Sequence, residues 1–385
     1  MPTPQAGPAA SAHTRAAAYP PDRILLGPGP SDVHPSVLAA MAQPLLGHLD
    51  PDFTPILDEI AEQLRAIFRT GNRVTFPVSG TGSAGLEAVV VNLVEPGDRV
   101  VVGVNGVFGG RLAEVARRAG AEVSTVEAPW GRIIDPQAFL DAVERHDPRV
   151  AVLVHAETST GVLQPMDEIA RGMCGRDTLL ALDTVTSLAG VEVDVDGWGV
   201  DAAYSGTQKC LSVPPGLSPV TFSDRAVQRV RERTTPVQSW YLDLQLILGY
   251  MDGSGGRTYH HTAPISMLYA LRQGLELVLQ EGVDARIERH RRFGAMLQDG
   301  LEALGLPLLA EQGHRLPQLT TVGLPDGVDE AVWRRRLLDR HGIEVGGGLG
   351  DFAGRAWRIG LMGHSCSERN VRLLLAAIED LLAGG

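Results

Sequence analysis

Of the 34 Lys and Arg residues in this chain, only Lys209 is a lysine. An ammonium can lose its proton and attack a carbonyl to form an imine, whereas a guanidinium stays protonated and non-nucleophilic. A chain that uses arginine for every other positive side chain points to Lys209 as a residue kept for chemistry. The segment Asp201-Ala-Ala-Tyr-Ser-Gly-Thr-Gln-Lys209 reads as a strand ending near Ser205, then a loop of small, uncharged residues. Asp183 ends another apolar run, Thr178-Leu-Leu-Ala-Leu-Asp183. A buried carboxylate needs a partner. A pyridinium nitrogen would serve, and so would the N–H groups of a helix capped by Asp183.

Three further motifs carry charge or hydroxyls. Ser79-Gly-Thr-Gly-Ser83 falls between a strand and a helix. Its glycines let backbone N–H groups approach an anion, Thr81 and Ser83 add hydroxyls, and the helix N-terminus adds a positive dipole end. It lacks the spacing of a GxGxxG fingerprint or of a P-loop. Arg358, in Ala356-Trp-Arg-Ile-Gly360, is a guanidinium on an apolar strand. Its planar fork suits a carboxylate, either of a substrate or of an internal Asp or Glu. Tyr259-His-His-Thr262 offers two hydroxyls to a second anion site. Its adjacent histidines do not share a helix face, so no metal is expected there.

These residues need elements to hold them. Between about Arg23 and Leu275, patterns of strand and helix alternate. Helices are expected over 55–69, 82–93, 111–119, 136–145 and 166–173, and strands over 73–78, 99–104, 121–126, 150–155, 178–183 and 200–205. Repeated βα units with apolar strands predict an α/β fold: a mainly parallel sheet sandwiched by helices, with ligands at the carboxyl ends of its strands. From about residue 281 the pattern changes to one long helix, short strands and two more helices, which predicts a smaller C-terminal α+β domain. The expected organisation is a mobile tail over 1–20, a large domain over 21–280 and a small one over 281–385.

Composition narrows the partners. With 385 residues, 44% apolar and 21% charged, the chain suits a globular protein of two domains. A net charge of -12 disfavours nucleic acid and anionic membrane as partners. No apolar run reaches the roughly 18 residues that a membrane span needs. Cys174, Cys210 and Cys366 form no CxxC pair, and the N-terminus lacks the apolar core of a secretory signal. Both point to the cytoplasm.

In their joint order, several stretches resemble the class V, fold-type I pyridoxal-phosphate (PLP) aminotransferases, above all the alanine–glyoxylate / serine–pyruvate aminotransferase family. They run from Leu26-Gly-Pro-Gly-Pro-Ser31 through Ser79-Gly-Thr-Gly-Ser83, Ser159-Thr-Gly-Val-Leu-Gln-Pro165, Tyr204-Ser-Gly-Thr-Gln-Lys209 and Tyr259-His-His-Thr262 to Arg358-Ile-Gly-Leu-Met-Gly363. The resemblance implies a seven-stranded-type sheet and PLP as cofactor. Lys209 would be the Schiff-base lysine and proton shuttle. Asp183 would pair with the pyridine nitrogen, and Val185 would pack on the ring. Thr158 would contact the phenolic oxygen. Thr81, Gly82, Ser83 and Gln208 would hold the phosphate. Tyr259 and Thr262 would reach the phosphate of the neighbouring subunit in a homodimer. Arg358 would bind the substrate carboxylate, with Gly29 lining the substrate space. Phe108 stands where the family commonly stacks Trp on the ring, Ser83 where His is frequent and Thr158 where Ser is frequent.

The implied reaction is ping-pong transfer of an amino group from alanine or serine to glyoxylate or pyruvate. A small donor fits because the matching motifs contain no second basic residue for a distal carboxylate. The same scaffold also admits ureidoglycine, aminoethylphosphonate or biosynthetic-pathway transaminases, and PLP lyases or aldolases. A cysteine desulfurase would need a mobile-loop cysteine ahead of Arg358, but Cys366 follows it and Cys210 abuts Lys209. A non-catalytic PLP-binding sensor would carry an appended module or lack the lysine.

Overall fold

In the computed structural model, which describes residues 20–251 and 256–383, the large layer is a seven-stranded sheet. Its strands are β2 (Val74–Ser79), β3 (Arg99–Val104), β4 (Glu122–Glu127), β5 (Val150–Val154), β8 (Leu179–Asp183), β9 (Ala202–Tyr204) and β10 (Leu217–Phe222). Their spatial order is β2-β10-β9-β8-β5-β3-β4. Only β10 runs against the rest. The expected N-terminal tail lies, but for Pro20, outside the described residues.

The apolar strands read as near-continuous runs because both faces of the sheet are covered. Val101, Ala151, Leu153, Leu180 and Leu182 pack on one side with α2 (Thr54–Phe68) and α9 (Ile265–Glu281), beside α1 (Pro35–Met41). Val100, Val102, Val150, Val152 and Ala181 point the other way, toward α3 (Gly82–Leu93) and α4 (Val107–Arg118). This alternation within each strand is the period-2 geometry of a pleated backbone. Helices α5 (Pro136–His146), α6 (Asp167–Met173), α7 (Asp224–Arg231) and α8 (Leu244–Met251) complete the wrapping. Asp135 and Ser223 cap α5 and α7 by accepting from Gln137 N and Ala226 N.

A separate core gathers Leu26, Leu297, Trp333, Trp357, Ile359 and Leu374. It is built from α10 (Val283–Ala303), α11 (Glu330–His341), α12 (Glu368–Ala383) and the sheet β11-β14-β13 (Leu319–Gly323, Ala356–Gly360, Gly346–Gly347). The N-terminal strand β1 (Ile24–Leu25) joins this layer by pairing in parallel with β12 (Ile343–Glu344). A ribbon of β6 (Ala156–Glu157) and β7 (Val162–Leu163) extends from the end of β5.

Besides the helices α1, α7 and α8, which were not among the expected elements, β10 and α4 differ from the sequence expectation. Strand β10 has no alternation to announce it, because all six of its residues are buried. Helix α4 begins at Val107 rather than Arg111. Its N-cap is Gly106, which has no side chain, and its first N–H groups are bound by side chains about 50 residues later in the chain. No local pattern marks such a start. No described helix is long and apolar enough to cross a membrane.

Candidate active site

Lys209 follows β9 in a loop at the carboxyl edge of the sheet and is 9% exposed. Its main chain is anchored by the N-terminal segment. Ser31 Oγ donates to Lys209 O at 2.8 Å, and Ser31 N donates to Gln208 O at 3.0 Å. The Lys209 Nζ donates to the carbonyl of Pro28. Gly29 sits against the lysine with φ of 107°, and a Cβ there would lie 2.8 Å from Lys209 Cδ. Only glycine allows both that conformation and that approach. Burial, reinforced by the nearby Arg358 guanidinium, brings the lysine down to about 8.

Asp183 ends β8, where the register sets it beside Tyr204 of β9. Tyr204 Oη donates to Asp183 Oδ2 at 2.6 Å, and Val185 N donates to Oδ1 at 2.8 Å. The acceptor contact to Val185 closes a turn, and no helix follows, so of the two roles open from sequence, helix capping drops out. Burial raises Asp183 to about 6 although both hydrogen bonds oppose it.

Lys209 and Asp183 line one cavity of about 200 Å³. Thr81, Gly82, Ser83, Phe108, Thr158, Val185 and Gln208 line it too. Nine of the residues singled out from sequence thus converge from five separate stretches. Arg358 stands at its edge, donating from Nη1 to Thr158 O at 3.5 Å and from Nε to Gly347 O at 2.8 Å. Both partners are carbonyls, and among the described residues no carboxylate pairs with this buried guanidinium. Tyr259 and Thr262 are not brought to the cavity. Both are exposed, and Tyr259 leans on His48 with ring centroids 5.2 Å apart.

Three residues of the site escaped the sequence. Tyr204 lay inside a quoted motif, but only strand pairing shows that it faces Asp183. Glu157 is fully buried behind Phe108 and Thr158. Arg111 lines the cavity with its guanidinium 4.9 Å from the Phe108 ring centroid. It lies outside the motifs on which the small-donor expectation rested. No sequence signal placed it there, because the expected helix began at Arg111 and left Phe108 outside it.

Residues 25–353 match the family model described as aminotransferase class-V. The chain belongs to the class-V aminotransferases.

Among relatives of this aminotransferase, the (S)-ureidoglycine–glyoxylate transaminase of Bacillus subtilis (strain 168) is 40% identical over 94% of this chain and 91% of its own. The alanine–glyoxylate aminotransferase of Callithrix jacchus is 41% identical, over 94% and 88%. Among solved structures, an alanine–glyoxylate aminotransferase from Nostoc sp. superposes with a TM-score of 0.93 at 49% identity, covering 95% of this chain and 97% of that one. These similarities span both layers of the fold, so the fold-type I architecture extends over essentially the whole described chain.

Proposed function

We propose that this aminotransferase uses PLP to move an amino group from a small amino acid, alanine or serine, to glyoxylate or pyruvate by a ping-pong cycle. One observation carries it: the chain's single lysine and a buried carboxylate line the same small cavity, onto which the N-terminus of α3 opens.

The residues present fit the cofactor. Gln208 Oε1 is buried without a partner, and the Thr81 side chain, at the N-cap of α3, makes no capping bond. Thr81, Gly82, Ser83 and Gln208 would hold the phosphate, and the helix dipole favours that anion. Asp183 would hold the ring nitrogen, with Val185 and Phe108 against the ring and Thr158 at its phenolic oxygen. When bound, PLP supplies an electron sink for charge leaving the substrate Cα. Lys209, held low by burial, is matched to accept and return the Cα proton near neutral pH. Arg358, with no carboxylate of its own, would take the substrate's.

The names of both relatives contain glyoxylate, which favours it as acceptor. The relative at 40% identity keeps ureidoglycine open as donor. The exposed Trp240, Leu246 and Tyr259 support a homodimer in which the partner subunit's Tyr259 and the partner subunit's Thr262 reach this phosphate site. The three cysteines are free, and Cys210 and Cys366 are buried, which supports a cytoplasmic setting. In this scheme the large domain over 21–280 carries Lys209 and Asp183, and the small one over 281–385 supplies Arg358.

An absorbance titration with L-alanine, L-serine and ureidoglycine, with no acceptor present, tests the proposal. The expected result is a visible cofactor band that one donor bleaches and glyoxylate restores, and that is missing from Lys209→Arg. No band after PLP is supplied would overturn it.

A further inference from the structure

Glu157 is fully buried, and among the described residues no Arg, Lys or His lies within ion-pair distance of it. Four donors converge on its carboxylate. Ser159 N and Ser159 Oγ reach Oε1 at 3.0 and 2.6 Å. Phe108 N and Gly109 N reach Oε2 at 3.1 and 3.3 Å. The last two are orphan N–H groups in the first turn of α4, which every helix must satisfy from outside its own ladder. Val107 N, a third, donates to Ser159 Oγ at 2.9 Å.

The N-cap residue would ordinarily meet these donors, but it is Gly106. The reason is steric. A Cβ on Gly106 would lie 2.5 Å from Glu157 Cδ and 2.4 Å from Ser159 Oγ. The capping function has moved to a residue 51 positions from Gly106 in sequence, and the space beside Gly106 is filled by that residue. One carboxylate thereby joins Phe108 on α4 to Thr158, its own chain neighbour, and both line the Lys209 cavity.

We propose that Glu157 is a positioning residue: its buried carboxyl group caps α4 in place of residue 106 and fixes Phe108 and Thr158 as two walls of the Lys209 cavity. The proposal rests on the PLP assignment above. Burial pushes the Glu157 carboxyl above its ordinary value, and the hydrogen bonds from Ser159, Gly109 and Phe108 pull the other way. Glutamine cannot replace this carboxylate. Each oxygen accepts at least one backbone N–H, so an amide NH₂ at either position faces a donor and leaves it unpaired.

The test compares wild type, Glu157→Gln and Gly106→Ala as PLP-loaded protein. It reads the visible circular dichroism of the bound cofactor and the PLP dissociation constant. Glu157→Gln should weaken PLP binding about tenfold, the scale of one orphaned buried donor. It should also reduce the dichroic amplitude. Gly106→Ala, which displaces the same side chain from the other side, should also weaken binding and reduce the amplitude. A Glu157→Gln protein that only melts earlier, with wild-type PLP binding and amplitude, overturns the proposal. Should that variant fail to accumulate, wild-type binding and amplitude in Gly106→Ala overturn it equally. A wild-type protein that shows no visible band would instead defeat the PLP assignment itself.

Discussion

Asp183→Asn should make the cofactor-free protein more stable at pH 8, while weakening its hold on PLP. The carboxylate is buried at the end of β8 with no cation bonded to it, and its pKa is raised from 3.8 to about 6. A raised carboxyl pKa means that the folded state binds more protons than the unfolded state between those values. Stability is therefore fully present below about pH 4 and is lost as pH rises through 6. A shift of about two pKa units corresponds to roughly 3 kcal/mol lost at pH 8. Asparagine removes that burden but can accept from only one of Tyr204 Oη and Val185 N, which returns about 1–2 kcal/mol. The net gain is about 1–2 kcal/mol, or about 1–3 °C in melting midpoint for a chain of this size. Thermal melts of apo wild type and apo Asp183→Asn, at pH 8 and at the lowest pH where both stay folded, supply the assay. The gain should shrink and then reverse as pH falls toward 4. A difference that stays constant across pH, or a variant less stable at pH 8, would refute the assignment of Asp183 as an uncompensated buried carboxylate.

Other perturbations read different parts of the site. Arg358→Gln should lower kcat/KM for the amino donor about a hundredfold, chiefly through KM, as expected for loss of a charge-assisted contact to the substrate carboxylate; an unchanged KM would remove Arg358 from that role. Gly29→Ala imposes φ of 107° on a residue with a Cβ and presses it against the Lys209 side chain. A strain of about 1–3 kcal/mol should cut activity at least tenfold, and wild-type turnover would show that the lysine has room to move. If the site is shared across a dimer, Lys209→Ala and Tyr259→Ala proteins, each inactive alone, should recover about a quarter of wild-type activity when unfolded and refolded together. No recovery, with mixed dimers shown to form, would place Tyr259 outside the partner's site.

The sequence alone determined the chemistry-bearing residues that announce themselves by type. Lys209 stood out because arginine fills every other basic position, and Asp183 because a carboxylate closes an apolar strand. The glycine-rich turn before α3 and the alternation of apolar strands with amphipathic helices were equally local signals, and they led to the mainly parallel sheet that the structure shows. Tertiary structure decided whatever depended on which strands lie side by side. Tyr204 reaches Asp183 only because β9 pairs with β8 in that register, and a one-residue slip would turn its side chain to the other face. Helix α4 starts where it does because Glu157, from the distant strand β6, binds its first N–H groups, and β10 is hidden by burial on both faces. Arg358 could have paired with an internal carboxylate as far as its sequence showed, and only the fold leaves it with carbonyl partners beside the lysine. Local signals report what a residue can do, whereas its partners are set by contacts between residues far apart in the chain, which no periodicity encodes.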